Sequence, residues 1–464
     1  MVLLALWTAR AAQRLSLTLG KGKGSSLPGM VALKIYPGIL RWFAGQSRLG
    51  TVMVTGTNGK TTTNNMLAQI ISSSGYKVLV NSEGANLITG VTTAFIRSAN
   101  LWGKIDCDYA VLEVDEAAFP AVAARVHPDT VVVTNFFRDQ LDRYGELDTT
   151  VGMVARALNN LHGTRLILNA DDPLVAQLKQ KSGLEAQYFG LDTGLETTQV
   201  GAETREAKFC PLCGALLNYK AYNYSQLGDF KCHECGFERP QPHFRAHSVR
   251  QAGDLFQGEI NWQVKNLELK IPARGVYNFY NALAAVSTAI TLNVDPDTAV
   301  RALVSYAPAV GRMDRFDYQG KPVLLNLVKN PTGFNQALAA LLNQDTLQDV
   351  LVAINDNAAD GRDISWLWDV DFEVLEENQL RFNKFICTGK RASEMAVRLK
   401  YAGVAAEKIS IYNNTERAID AAISGGGKMT FLLATYTALW PVEATLAKKA
   451  KRVEGDAQSM PSVS

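Results

Sequence analysis

Short apolar runs without polar alternation recur along most of the chain. Residues 51–54, 77–80, Tyr109–Glu113, 130–134 and Arg165–Asn169 each read as buried strands. Helix-length stretches such as 62–73 and 151–161 separate them. Runs of Val, Ile and Leu on both faces, with helices between, predict a parallel sheet covered on both sides. A second series at 323–328, 350–354, 384–387, 409–412 and Met429–Ala434 predicts a second, Rossmann-like α/β domain. The rhythm breaks over 204–250, which holds four cysteines and three of the five histidines and reads as an insertion. The pattern divides the chain into a helical segment and connector at 1–45, a central domain at 46–311 with an insertion at 205–245, and a C-terminal domain at 312–464.

The first residues form a separate question. Met1 to Trp7 is apolar, but Arg10 and Arg14 follow it, the reverse of a secretory signal. No run reaches the roughly 18 apolar residues of a spanning helix, so no transmembrane segment is expected. Residues 3–19 read as an amphipathic helix with Arg10, Arg14, Lys21 and Lys23 nearby. Such a helix packs on its own domain or touches an anionic membrane surface. Composition adds limits: 47% hydrophobic and 20% charged residues exclude disorder as the main architecture. A net charge of +2 gives no general case for nucleic-acid binding.

The strongest local signal runs from Val52 to Thr63. An apolar strand enters a Gly-rich turn, then Lys-Thr, then a helix. Gly56, Thr57, Asn58 and Gly59 let backbone N–H groups curl around a phosphate, and the helix start at Lys60, Thr61 and Thr62 adds its dipole. Lys60 reaches the β/γ-phosphates and the Thr61 hydroxyl binds Mg²⁺. Position 54 is Val rather than the glycine of a full Walker pattern, so the match is the shorter G-x-x-G-K-T. A Mg²⁺ site needs a further carboxylate at a strand end. Glu113, directly after an apolar run and followed by Asp115 and Glu116, is the candidate.

Six cysteines are too few for a disulfide scaffold. Four of them form the pairs Cys210/Cys213 and Cys232/Cys235, separated by residues 214–231. That spacing fits a zinc pattern, and four thiolates close a tetrahedral site, which makes it structural. Two disulfides are the alternative. Cys107 lies between two aspartates and Cys387 inside a strand, so neither reads as a glutaminase nucleophile.

Together these motifs resemble the Mur ligase superfamily of ATP-dependent amide-forming ligases. The resemblance continues through Thr134-Asn135 with Asp139 and Asp142, Asn169 to Pro173, Gly275 to Ala285 and Gly311 to Arg315. It implies a Mur-type central P-loop ATPase domain, with Lys60 and Thr61 on the ATP phosphates and Glu113 on Mg²⁺. It also implies Asn278 and Asn281 near the nucleotide and Arg312 toward the γ-phosphate. Three departures stand out. Only about 50 residues precede the loop, too few for a UDP-binding domain. Gln140 replaces a histidine that holds a second metal in the family. No lysine occurs between Lys104 and Lys179 to carry a carbamate. With the cysteine insertion and the run from Ile354 to Asp369, the departures resemble one branch, the MurT-type subunit of lipid II isoglutaminyl synthase.

That resemblance implies amidation of the D-glutamate α-carboxylate of the lipid II stem peptide, with ammonia from a GatD-type glutaminase. It implies a cytoplasmic protein acting at the inner membrane face. Asp356, after the run 350–354, is the candidate to orient the partner's catalytic histidine. The competing readings are a stand-alone Mur or folylpolyglutamate-type amino acid ligase, and a P-loop module whose ribbon binds nucleic acid. Trp366 and Trp368 read as core or as interface anchors, and residues 81–90 as a loop at the acceptor mouth.

Overall fold

The computed structural model describes residues 1–18, 26–81, 84–138, 147–192, 206–252, 255–273, 275–307, 312–357 and 359–453. The chain divides into two compact units. The first comprises 1–137, 147–195 and 207–306; the second comprises 138–146, 196–206 and 307–464.

The first unit is built on strands β1 (Gly50–Thr55), β2 (Val78–Val80), β3 (Tyr109–Glu113), β4 (Thr130–Val133), β5 (Arg165–Asn169) and β6 (Ala186–Leu191). A hairpin follows, β7 (Asn218–Tyr224) and β8 (Leu227–Lys231), then β9 (Phe244–Ala252), β10 (Leu255–Trp262) and β11 (Lys265–Ile271). The nine-stranded sheet has the order β11-β10-β9-β6-β5-β4-β1-β3-β2. The pairs from β2 through to β9 are parallel, while β9–β10 and β10–β11 are antiparallel. Two cores cover its faces. Met53, Leu112, Val131 and Leu168 face one; Val52, Val111, Val132 and Ile167 face the other. Burial of both faces is why these strands show no alternation in the sequence.

The expectation of a parallel sheet is met by seven strands, β9 included, and extended by β10 and β11, which add an antiparallel margin. There residues alternate: β10 reads exposed, buried, half-buried, buried along Leu255–Gly258. Strand β9 also shortens the insertion. Phe244 already belongs to the main sheet, paired with Phe189 of β6. The first helix, Val2–Thr18, buries Ala5, Leu6 and Ala9 in the first core.

The second unit carries β12 (Arg312–Tyr318), β13 (Lys321–Leu327), β14 (Gln348–Ala353), β15 (Phe382–Thr388), β16 (Ile409–Ile411), β17 (Met429–Ala434) and β18 (Lys451–Arg452). Their order is β16-β15-β14-β17-β13-β12-β18. The five from β16 to β13 are parallel; β12 and β18 add antiparallel edges. Helices Pro331–Leu342, Ala392–Tyr401, Thr415–Ile423 and Tyr436–Leu446 supply the apolar residues of two cores.

Candidate functional site

β1 lies between β3 and β4, where the strand order reverses, and such a point opens a crevice at the carboxyl edge of a parallel sheet. The phosphate loop leaves β1 there. Gly56 (φ 120°) and Gly59 (φ 84°) hold conformations that a side chain resists. A β-carbon on Gly56 would meet Thr134 and Asn135, and one on Gly59 would run into the Asn281 amide. The loop is pinned from the end of β4. Asn135 accepts from the Asn58 N–H at 2.9 Å through its side chain and from the Thr57 N–H at 2.9 Å through its carbonyl. The Thr134 hydroxyl and the Asn135 amide donate to the Asn58 carbonyl at 2.8 and 3.0 Å. Thr57 exchanges hydrogen bonds with the Phe137 backbone. Thr134 and Asn135 belong to the family resemblance, but their clamp on the loop is visible only in three dimensions.

Lys60 opens the helix Lys60–Ser73 and is buried. Its ammonium donates to the Gly56 carbonyl at 2.6 Å, the Thr57 carbonyl at 3.2 Å and the Glu116 carboxylate at 2.7 Å. Burial alone pulls the Lys60 pKa down, but Glu116, Asp115 and Glu113 outweigh it and hold the group above its ordinary value. Thr61 is half-buried and Thr62 buried on the same turn.

Glu113 is buried at the end of β3, level with Val54 of β1. The Asn86 amide donates to its carboxylate at 3.0 Å, while Asn81 makes two 2.9 Å hydrogen bonds to its backbone. The 81–90 segment, expected at the acceptor mouth, therefore positions Glu113 through Asn81 and Asn86. Lys60, Glu113, Asp115 and Glu116 form one electrostatic cluster, and Glu116 rather than Glu113 takes the direct ion pair.

Asn278 and Asn281 are buried on the first turns of the helix Val276–Thr291. Asn281 stands against Gly59. Asp171 and Asp172 prove to be structural. Asp171, fully buried, accepts from Arg239 at 2.6 Å, Leu191 N–H at 2.8 Å and the Tyr280 hydroxyl at 2.5 Å. Burial pushes its carboxyl up despite these donors. Asp172 accepts from Phe136 and Leu174 N–H groups, and burial pushes it up to about 7.

The four cysteines of the insertion converge. Cys210 and Cys235 sulfurs are 3.6 Å apart, those of Cys213 and Cys232 3.5 Å, and all four lie within 4.8 Å of one another. None is in a disulfide. A tetrahedron with Zn–S bonds of about 2.3 Å has edges of about 3.8 Å, so the sulfurs fit around one metal ion. Gly214 and Gly236, at φ 79° and 75°, close the two turns. Cys107 and Cys387 are buried elsewhere, and burial raises both thiols, Cys387 to about 12.

In the second unit, Asp356 follows β14 with a side chain 19% exposed. Arg391 grips one of its oxygens, Oδ2, through Nε at 2.9 Å and Nη2 at 2.6 Å. These bonds hold the carboxyl below its usual range. Neighbouring Asn355 and Asn357 both donate to Thr437, and the Thr437 N–H donates to buried Asp360 at 2.7 Å. Trp366 is core; Trp368 is 56% exposed, with Arg398 5.2 Å over its ring. The Arg312 backbone pairs with Asn326, but its side chain, like Asp139, Gln140 and Asp142, lies outside the described residues.

A phosphate loop on a doubly wound sheet, with buried acids beside its lysine and a second α/β unit later in the chain, defines a P-loop ligase of the Mur type. The Mur ligase middle domain model matches residues 54–289, and the MurT ligase C-terminal model residues 327–439. The chain is 37% identical over 441 residues to the lipid II isoglutaminyl synthase (glutamine-hydrolysing) subunit MurT of Staphylococcus aureus strain COL, covering 94% of this chain and 96% of that one. It is 35% identical over 428 residues to the MurT subunit of Streptococcus pneumoniae, covering 92% and 93%. Among solved structures, a pseudomurein peptide ligase type C from Methanothermus fervidus superposes with a TM-score of 0.66 at 24% identity, over 86% of this chain and 78% of that one. Folylpolyglutamate synthase from Mycobacterium tuberculosis gives a TM-score of 0.62 at 12% identity, over 96% and 100%. The chain belongs to the Mur ligase family and, within it, to the MurT subunits.

Proposed function

We propose that this chain is the ATP-dependent synthase subunit of a glutamine-hydrolysing lipid II isoglutaminyl synthase. Near-full-length similarity to two MurT subunits carries the reading. It favours this function over a stand-alone amino acid ligase, whose structural relatives share the fold at low identity. The γ-phosphoryl group of ATP passes to the α-carboxylate of D-glutamate in the stem peptide. Ammonia then displaces phosphate from the acyl carbon and leaves the amide of D-isoglutamine.

The residues divide this work. The Gly56–Gly59 loop and the start of the helix wrap the phosphates, and Lys60 balances their charge. Thr61 and Glu113 fit Mg²⁺, a hard cation that takes oxygen ligands, and the ion would neutralise phosphate charge during transfer. Asn278 and Asn281 serve the nucleotide, and the family resemblance assigns Arg312 to the γ-phosphate. Cys210, Cys213, Cys232 and Cys235 hold one structural Zn²⁺. Asp356 orients and stabilises the imidazolium of a GatD-type glutaminase. Raised thiol pKa values at Cys107 and Cys387 support an outside ammonia source. The acceptor is lipid-linked, so the work is done at the inner face of the membrane.

Co-expression with a glutaminase of this type tests the proposal. The complex should convert lipid II, ATP and glutamine to a product whose mass shows one hydroxyl replaced by an amino group. Incorporation of a free amino acid instead would establish the stand-alone ligase.

A further inference from the structure

The first helix, Val2–Thr18, is apolar on two sides. Ala5, Leu6 and Ala9 are buried in its own unit. Leu4, Trp7 and Leu15, on the opposite side by helical spacing, are 53, 51 and 61% exposed. Neighbouring segments extend this outer surface. The Trp7 indole donates to the Leu101 carbonyl at 3.0 Å, and Leu101 and Trp102 are 67 and 72% exposed. Trp42, also exposed, packs so close to Gly103 that a β-carbon there would meet its ring 2.9 Å away, with Leu3 at 3.8 Å.

Charge around the patch is mainly basic. The first acidic residue of the sequence is Glu83, and nine basic residues precede it. Arg14, Arg41 and Lys104 are exposed on the same three segments. The nearby Asp106 and Asp108 are paired with Arg48, and Asp106 also with Lys77. No helix among the described residues is long and apolar enough to cross a membrane.

We propose that this surface binds an anionic bilayer, with the first helix lying in the interface plane. Tryptophans suit that depth because an apolar ring sits beside a polar N–H. Apolar insertion and basic attraction together give the two signals that lasting membrane contact needs. The purpose of the contact, holding the ligase near a lipid-linked acceptor, rests on the function proposed above; the contact itself does not.

Vesicle sedimentation of the purified full chain tests it. The chain should pellet with vesicles of phosphatidylglycerol and phosphatidylcholine, less so at high salt, and stay in solution with phosphatidylcholine alone. Leu4→Ser combined with Trp102→Ser should lower the bound fraction about tenfold. Arg14→Glu combined with Lys104→Glu should do the same, with the melting temperature unchanged in both. Both variants should amidate a water-soluble stem peptide at the normal rate while slowing on lipid II in vesicles. Failure of the wild type to pellet with any vesicle overturns the proposal. So do variants that lose self-association or glutaminase binding while keeping vesicle binding. Absence of amidation with every acceptor would overturn the proposed function and leave the vesicle result standing.

Discussion

Lys60 does two jobs that substitution can separate. Its ammonium sits between two loop carbonyls and the buried Glu116. A phosphate loop lysine is usually pictured reaching into open space, where its loss would cost chemistry alone. Here Lys60→Met takes the ammonium away from the buried Glu116 carboxylate, which costs roughly 3–5 kcal/mol. The single variant is therefore expected to lose both activity and stability. Adding Glu116→Gln removes the stranded charge. The double variant should regain most of the stability in a denaturant titration, yet ATP-dependent amidation should stay at least about 100-fold down because phosphate charge is no longer balanced. Recovery of turnover in the double variant would remove Lys60 from the ATP site. Glu113 presents the complementary case. Asn86 fixes its carboxylate from outside the ion pair, so its orientation does not depend on Lys60.

The four-cysteine insertion is an element whose spacing foretold its geometry, because two C-x-x-C pairs a hairpin apart bring four sulfurs close enough for one metal ion. The purified chain should contain about one zinc ion, and Cys213→Ser should lower the melting temperature while the ATP affinity of the surviving folded fraction is unchanged. A metal-free, fully folded wild type would refute this. The parallel strands were legible for a similar reason, since burial on both faces leaves continuous apolar runs. Strands β9 to β11 were not, because half-exposed strands give a weaker signal, here adjoining the cysteine insertion. Asp171 and Asp172 were legible as a motif but not as a hub, because Arg239, Leu191 and Tyr280 meet only in three dimensions. Asp172 also yields a pH signature. Its folded pKa of about 7 lies above the unfolded value of about 3.9. The folded state therefore holds this proton more tightly, and the stability it brings is complete below pH about 4 and lost as pH rises through about 7. Asp172→Asn keeps a capping oxygen and removes the titration. Urea unfolding should show the variant gaining on wild type between those limits, and parallel pH curves would exclude the shift.

At the scale of the whole molecule, the chain joins an ATP-using unit to a second α/β unit whose interior strand β14 ends beside Asp356. Position along the sequence located this aspartate, but not Arg391, which lies 35 residues on and reaches it only through the sheet. Arg391 keeps the carboxylate ionised while occupying one of its two oxygens. That is the state needed to stabilise an imidazolium on a partner subunit. A purely structural Asp356 would anchor Arg391 and nothing more, and a solvent-accessible pair of this kind contributes little. The two roles differ in what they do to the nitrogen source. Asp356→Asn should leave the fold and the glutaminase complex intact and reduce glutamine-driven amidation by about 100-fold or more, in line with the loss of an orienting acid. Amidation from high free ammonium should proceed at the wild-type rate, because it bypasses glutamine hydrolysis, and it should rise with pH as more of the ammonium is free ammonia. Arg391→Met, which keeps the carboxylate and removes its clamp, should give a smaller loss confined to glutamine. Equal loss with both nitrogen sources in Asp356→Asn, or no loss with either, would restrict Asp356 to a structural role in the second unit.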